Sequence, residues 1–168
     1  MRSLRYTVVF AWTLTFAALS GFAAEPPAAD TAFAMSAAAG GLAEVQAAQL
    51  AEKKATAPSV KQFAQQMEKD HAAANNELMQ IAQAKVIVLP TGPDSTHAAT
   101  LQQMAKLSGT AFDQQYMQGQ ISDHRTTVAL FQQEAGSGQD PQLKAFAQKY
   151  LPILQHHLRM AEAAKVGT

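Results

Sequence analysis

Cysteine is absent from all 168 residues. That excludes disulfides, thiolate metal sites, cysteine nucleophiles and lipid anchoring through cysteine. Charge is sparse, at 15% of residues, and balanced, with 13 basic against 13 acidic side chains. No basic block stands out, which argues against a nucleic-acid partner. Beyond residue 24 no stretch approaches the ~20 consecutive apolar residues that a membrane-spanning helix needs. No glycine-rich phosphate loop or Ser/His/Asp ordering is recognisable either.

The one long apolar run lies at the N-terminus. Arg2 and Arg5 precede the run from Val8 to Leu19, and small residues follow at Gly21 and Ala23. This is the layout of a secretory signal peptide over residues 1–23, with cleavage after Ala23 or Ala24. Without Arg2 and Arg5 the mature chain carries about two more acidic than basic charges. The expectation is an exported, soluble protein, most simply periplasmic, with no transmembrane segment in the mature chain.

What is abundant is alanine and helical periodicity. "AEPPAAD" (24–30) reads as a linker that ends on Asp30, a good helix N-cap. A first long, Ala-dominated helix is expected from Thr31 to Ala57, with Leu42, Val45 and Leu50 as its larger apolar groups. The pair Gly40-Gly41 inside it makes sense where another helix approaches closely. Pro58 opens a second long helix whose seam is Val60, Ala64, Met67, His71, Ala74, Leu78 and Ile81, at alternating steps of four and three. A Pro/Gly-rich break (85–94) and a short helix from Ser95 to Leu107 follow. Ser108 precedes a third long helix to Ala135, with seam Met117, Ile121, His124, Val128, Phe131 and Ala135. Asp140 and Pro141 are the cap and first residue of a fourth, with seam Leu143, Ala147, Tyr150, Leu154, His157 and Ala161. "PSVKQFAQQM" (58–67) and "PQLKAFAQKY" (141–150) match at five positions, so the second and fourth long helices look like equivalent halves of two hairpins. The fold expected is all-α, a ferritin-like four-helix bundle over 31–166, with a long crossover between its second and third long helices containing the short helix.

Each long helix carries a polar group on or near its seam. Counting from the turn at Ala57-Pro58 brings Glu44 and His71 level. The second hairpin matches less well: His124 and His157 differ by five residues, or ~7 Å of helical rise. Glu44, His71, His124 and His157 are therefore the candidate metal ligands. A Glu/His set suits a divalent transition metal, whether Zn, Fe, Mn or Cu. Asp70 and Asp123, one residue before two of the histidines and turned ~100° around their helices, are candidates to orient the neighbouring helix or to hold a supporting hydrogen bond behind the ligands. A lone histidine on an apolar face is more often a hydrogen-bonded core residue. The competing readings are thus a metal-free Glu–His hydrogen-bond network, or partial exposure at the seam edges. "EKDH" (68–71) fits the Glu-x-x-His spacing of di-iron bundles. It occurs once only, and Ile121 and Leu154 occupy the matching positions before His124 and His157. His156 and His97 are expected on the surface.

"GGLAEVQAAQLAEKKATAPSVKQFAQQMEKDH", "LSGTAFDQQYMQGQISDH" and "FAQKYLPILQHHLRMA" resemble, in that order, an exported bacterial family known as domain of unknown function 4142. The resemblance runs from about Phe33 to Ala164. It implies a ferritin-like bundle and no settled activity, and its polar positions fall on Glu44, Asp70, His71, Asp123, His124 and His157. The functional expectation is an exported, stress-related metal-binding bundle. The alternative is a structural or interaction module of the cell envelope, with a protein partner or a second copy of itself and a metal-free polar core. A redox enzyme ranks last, because such chemistry in bundles uses more interior carboxylates than this chain offers.

Overall fold

In the computed structural model, residues 26–164 are described. The signal peptide expected at 1–23, the first residues of the linker and the last two of the expected bundle domain lie outside them. Five helices and no strand occur among the described residues: α1 (Ala28–Lys54), α2 (Pro58–Ala84), α3 (Ser95–Met104), α4 (Gly109–Ser137) and α5 (Pro141–Ala163). The protein is an all-α bundle. None of these helices is long and apolar enough to cross a membrane.

The breaks follow local chemistry. Pro58 and Pro141 take the first positions of α2 and α5, where a missing N–H costs no hydrogen bond. The Asp140 carboxylate accepts from the backbone N–H groups of Gln142 and Leu143 at 3.0 Å each, as an N-cap should. The helix α2 ends in a Schellman motif: Ile87 N–H donates to the Ala82 carbonyl at 2.9 Å and Val86 N–H to that of Gln83 at 3.3 Å. Its left-handed residue is Val86 (φ 58°), where glycine is usual. The expected cap at Asp30 is corrected. The helix α1 begins earlier, at Ala28 after Pro27, and Asp30 sits inside its first turn. The carboxylate is drawn away from its own helix because it accepts from the N–H groups of Gln139 and Asp140, in the turn between α4 and α5.

Two buried carboxylates fix how the chain runs. Asp113, in the first turns of α4, accepts from Thr56 N–H (3.0 Å), the Thr56 hydroxyl (2.7 Å) and Ala57 N–H (2.9 Å), so α4 starts beside the α1–α2 turn. Asp30 ties the start of α1 to the opposite turn, and Lys85 at the end of α2 reaches Asp140 at 2.6 Å. The helices α2 and α4 therefore run the same way, and the 85–108 crossover travels back along the bundle. The α1–α2 and α4–α5 hairpins meet through α1 on α4 and α2 on α5.

The core is split along its length. Toward the α1–α2 turn lie Val60, Phe63, Met67, Met104, Phe112, Tyr116 and Met117, packed with alanines of α1. Toward the α4–α5 turn lie Phe33, Leu78, Phe131, Leu143, Phe146 and Leu154. There Phe33 stands edge-on to Phe131 with ring centroids 5.0 Å apart, a contact worth ~1 kcal/mol beyond its buried area. In α1 the buried face is mostly alanine, with Phe33, Gly41, Asp30 and Glu44 among it, while Leu42, Val45 and Leu50 flank it. Gly41 accounts for half of the expected close approach: a Cβ there would lie 2.1 Å from Asn75 Oδ1 of α2, whereas one on Gly40 would meet nothing. The α4 seam is also corrected. Ile121, Val128 and Ala135 are half-buried, and the buried face includes Asp113, Gln120 and Glu134. Polar residues can hold core positions where a partner satisfies them, as Asp113 and Gln120 are. Glu134 makes no side-chain hydrogen bond among the described residues, and burial followed by the Asp30 and Asp140 carboxylates pushes its pKa up to about 7.

Candidate metal centre

Between the two apolar clusters lies a layer of imidazoles. His71 follows Met67 by one turn on α2, His124 follows Gln120 by one turn on α4, and His157 precedes Ala161 by one turn on α5. All three are buried, with His124 and His157 each 1% exposed. Their ring centroids are 5.5, 5.5 and 5.6 Å apart. One ligating atom from each lies within 4.8 Å of the others.

The level meeting of His124 and His157 departs from the five-residue mismatch expected. The reason is the length of α4, which runs two residues past Ala135 to Ser137. His124 is thirteen residues before that end, and His157 sixteen after Pro141. In the first hairpin Glu44 is ten residues before Lys54, and His71 thirteen after Pro58. Both hairpins thus share the same offset of three, and their polar groups arrive at one depth.

Hydrogen bonds fix which nitrogen two of the rings, His124 and His157, leave free. His124 Nδ1 lies 3.0 Å from the Gln120 carbonyl oxygen, which can only accept, so Nδ1 carries the proton and Nε2 a lone pair. His157 Nε2 lies 2.9 Å from the Asp70 carboxylate and donates to it, which leaves Nδ1 as the base. His124 Nε2, His157 Nδ1 and His71 Nε2 are buried and have no hydrogen-bond partner among the described residues. Burial is the main reason that the imidazolium form is disfavoured. It pushes His124 and His157 down to about 4, against partial opposition from the Gln120 carbonyl and from Asp70 respectively. His71 falls well below the ordinary histidine range through burial, then through its two neighbouring imidazoles. Three neutral rings presenting lone pairs to one another is the protonation state that metal ligation requires.

The carboxylates divide. Glu44 stands beside the imidazole triangle and outside it. Its Oε1 is 3.5 Å from His124 Nδ1, and its Oε2 accepts from Gln120 Nε2 at 2.7 Å. Burial pushes its pKa up to about 7, partly offset by the Gln120 hydrogen bond. Asp70 orients an imidazole on the neighbouring helix and is itself held by Gln66 Nε2 at 2.6 Å. Asp123 is half-exposed and makes no hydrogen bond to a histidine. Glu68 turns outward to Gln49, so its Glu-x-x-His spacing does not build a site. His156 is exposed, and His97 pairs with Asp94 on α3 at 2.6 Å.

Sequence reasoning missed Gln120, which joins Glu44 to His124. The available signal was its position one helical turn before His124, on the same face. It also missed Tyr116 and Asp113, a further one and two turns back.

The fold and this site describe an all-helical bundle with a buried three-imidazole layer. A family model described as Domain of unknown function (DUF4142) matches residues 17–164, and the chain belongs to that family. No curated protein and no solved structure matches it.

Proposed function

We propose that this protein is an exported, periplasmic bundle of ferritin-like topology that holds one transition-metal ion through His71, His124 and His157, in a stress-related role. One observation carries the metal reading: three buried imidazole nitrogens from three helices face one another and lack partners. Leaving a buried polar atom unpaired costs ~1–3 kcal/mol, so three at one point call for an occupant that satisfies all three. At the widest spacing of 4.8 Å the centre of the triangle lies about 2.8 Å from each nitrogen, against ~2.0–2.1 Å for a Zn–N bond. An inward movement of less than an ångström per ring completes the coordination. Three neutral nitrogens favour zinc, copper or iron over manganese, which prefers oxygen ligands. Glu44 supplies a nearby negative charge for a dication. The single long crossover between two hairpins supports the ferritin-like topology. The basic, apolar and small-residue segments at 1–23 support export.

The metal-free alternative, an envelope interaction module with a polar core, predicts imidazoles bonded to one another or to Glu44. The three unpartnered nitrogens weigh against it. The deciding experiment is metal analysis of untagged protein, followed by zinc, copper and iron titration of chelator-treated protein. One ion per chain and a melting temperature that climbs with metal are expected. At a hundredfold excess over Kd the gain is ~2.7 kcal/mol. Negligible retained metal together with unchanged melting would leave the interaction module as the better account.

A further inference from the structure

Beside the imidazole layer lie two small cavities of about 30 Å³ each, and Glu44 lines both. One adjoins His71 and His157, and its other walls are mostly apolar, from Phe131 and Leu154 among others. The second lies on the far side of Glu44, between α1, α3 and α4. Tyr116 and Gln120, 1% and 2% exposed, both line it. The Tyr116 hydroxyl and Gln120 Oε1 are buried without a hydrogen-bond partner among the described residues. At its outer end stand the half-exposed Asp123 and His97. A volume of this size admits one or two water-sized groups, and the two unpartnered polar atoms make such occupancy favourable.

We propose that this α1–α3–α4 chamber is the route by which a hydrated cation reaches the histidine layer, with Glu44 as the hand-over ligand between the two cavities. The inference rests on the metal reading above and adds its path. A few polar side chains in an otherwise largely apolar lining stage the exchange. Asp123 draws the cation in, and Tyr116 Oη and Gln120 Oε1 replace part of its water shell. Glu44, which lines both cavities, then passes it to the one that His71 and His157 line. In the cavity on the opposite side Asp70 and the Tyr150 hydroxyl are already engaged, by Gln66 and His157 and by Glu77 respectively, so they are less available to replace lost water, and desolvating a divalent ion is costly.

Gly119 provides the test. It lines the α1–α3–α4 chamber, and a Cβ added to it would meet nothing within 4 Å. Cobalt(II) uptake by the chelator-treated full chain is followed by stopped-flow absorbance, and its loss by transfer to excess chelator. Gly119→Met should slow uptake and loss by the same factor, at least tenfold, and leave the equilibrium Kd within twofold. Thr100→Phe, at an exposed position on the chamber rim, should act in the same direction and guards against a Gly119 variant that fails to fold. Gly40→Met, on the opposite cavity, should leave both rates within twofold. Rates untouched by Gly119→Met and Thr100→Phe, or slowed by Gly40→Met instead, would overturn the route while the binding site stands. No cobalt bound by the wild type at equilibrium would overturn the metal reading itself, and the route with it.

Discussion

Two buried aspartates at the ends of this bundle and the imidazoles in its middle are satisfied in opposite ways. At the ends, Asp113 and Asp30 spend their oxygens on backbone N–H groups of turns 57 and 109–110 residues away in sequence. In the middle, three imidazoles use one hydrogen bond each at most and turn an unpaired nitrogen toward one another. The satisfied carboxylates secure architecture: they hold two hairpins in register and in a defined direction. The unpartnered imidazole nitrogens cost the bare fold free energy, and the ion proposed above would satisfy them.

That contrast can be broken from the architectural end first. Asp113→Ala strips acceptors from Thr56 and Ala57 N–H at once and should cost about 3 kcal/mol in urea unfolding, with zinc affinity changed less than threefold. Next comes acidity, in metal-free protein. His124 and His157 have folded pKa values near 4, below the unfolded 6.5, so they stay neutral in the fold while the unfolded chain takes up protons. Their contribution is full above pH 6.5 and is lost as the pH falls from 6.5 to 4. Glu44 runs the other way: with a folded value of about 7 it takes up its proton first, which favours the fold as the pH falls from 7 to 4.5. Glu44→Gln removes that offset. Unfolding titrations should show a loss of stability between pH 7 and 4.5 that exceeds the wild-type loss by about 2–3 kcal/mol.

The remaining substitutions sharpen the comparison with smaller effects. Asp70→Asn weakens the group that orients His157 and should lower zinc affinity about tenfold in a competition titration, with the fold intact. His71→Leu exchanges an unpaired buried nitrogen for methyl groups. Metal-free stability should stay within about 1 kcal/mol of wild type or rise, while the zinc-dependent gain in melting temperature disappears. A large loss in the metal-free protein would instead mark His71 as architectural. Arg125→Ala, on the exposed pair with Glu162 at 2.7 Å, should move stability by less than ~0.5 kcal/mol.

Much of the fold was legible in the sequence because its breaks are local events. Pro58, the Pro/Gly stretch before Ser95, and Asp140-Pro141 each end or begin a helix for reasons contained within a few residues. The three histidines were legible for a related reason, since each falls in step with apolar neighbours at helical spacing. The polar residues that share the core with them were not. Asp30 reads as an N-cap and Gln120 lies outside the expected apolar seam, and each is buried beside a partner far away in the chain, 110 and 76 residues distant respectively. No local pattern encodes such pairings. The depth of His157 was misjudged for a humbler reason: two extra residues of α4 displace a turn by ~3 Å.

The imidazole layer draws on both halves of the chain, His71 from the α1–α2 hairpin and His124 with His157 from α4–α5. An ion bound there would act as a rivet across the seam between them. A chain severed in the 88–92 segment should therefore behave as a two-fragment system. Its halves would recombine at lower concentration when zinc is supplied and drift apart under a chelator, which would make metal availability a control on whether the bundle exists as one body.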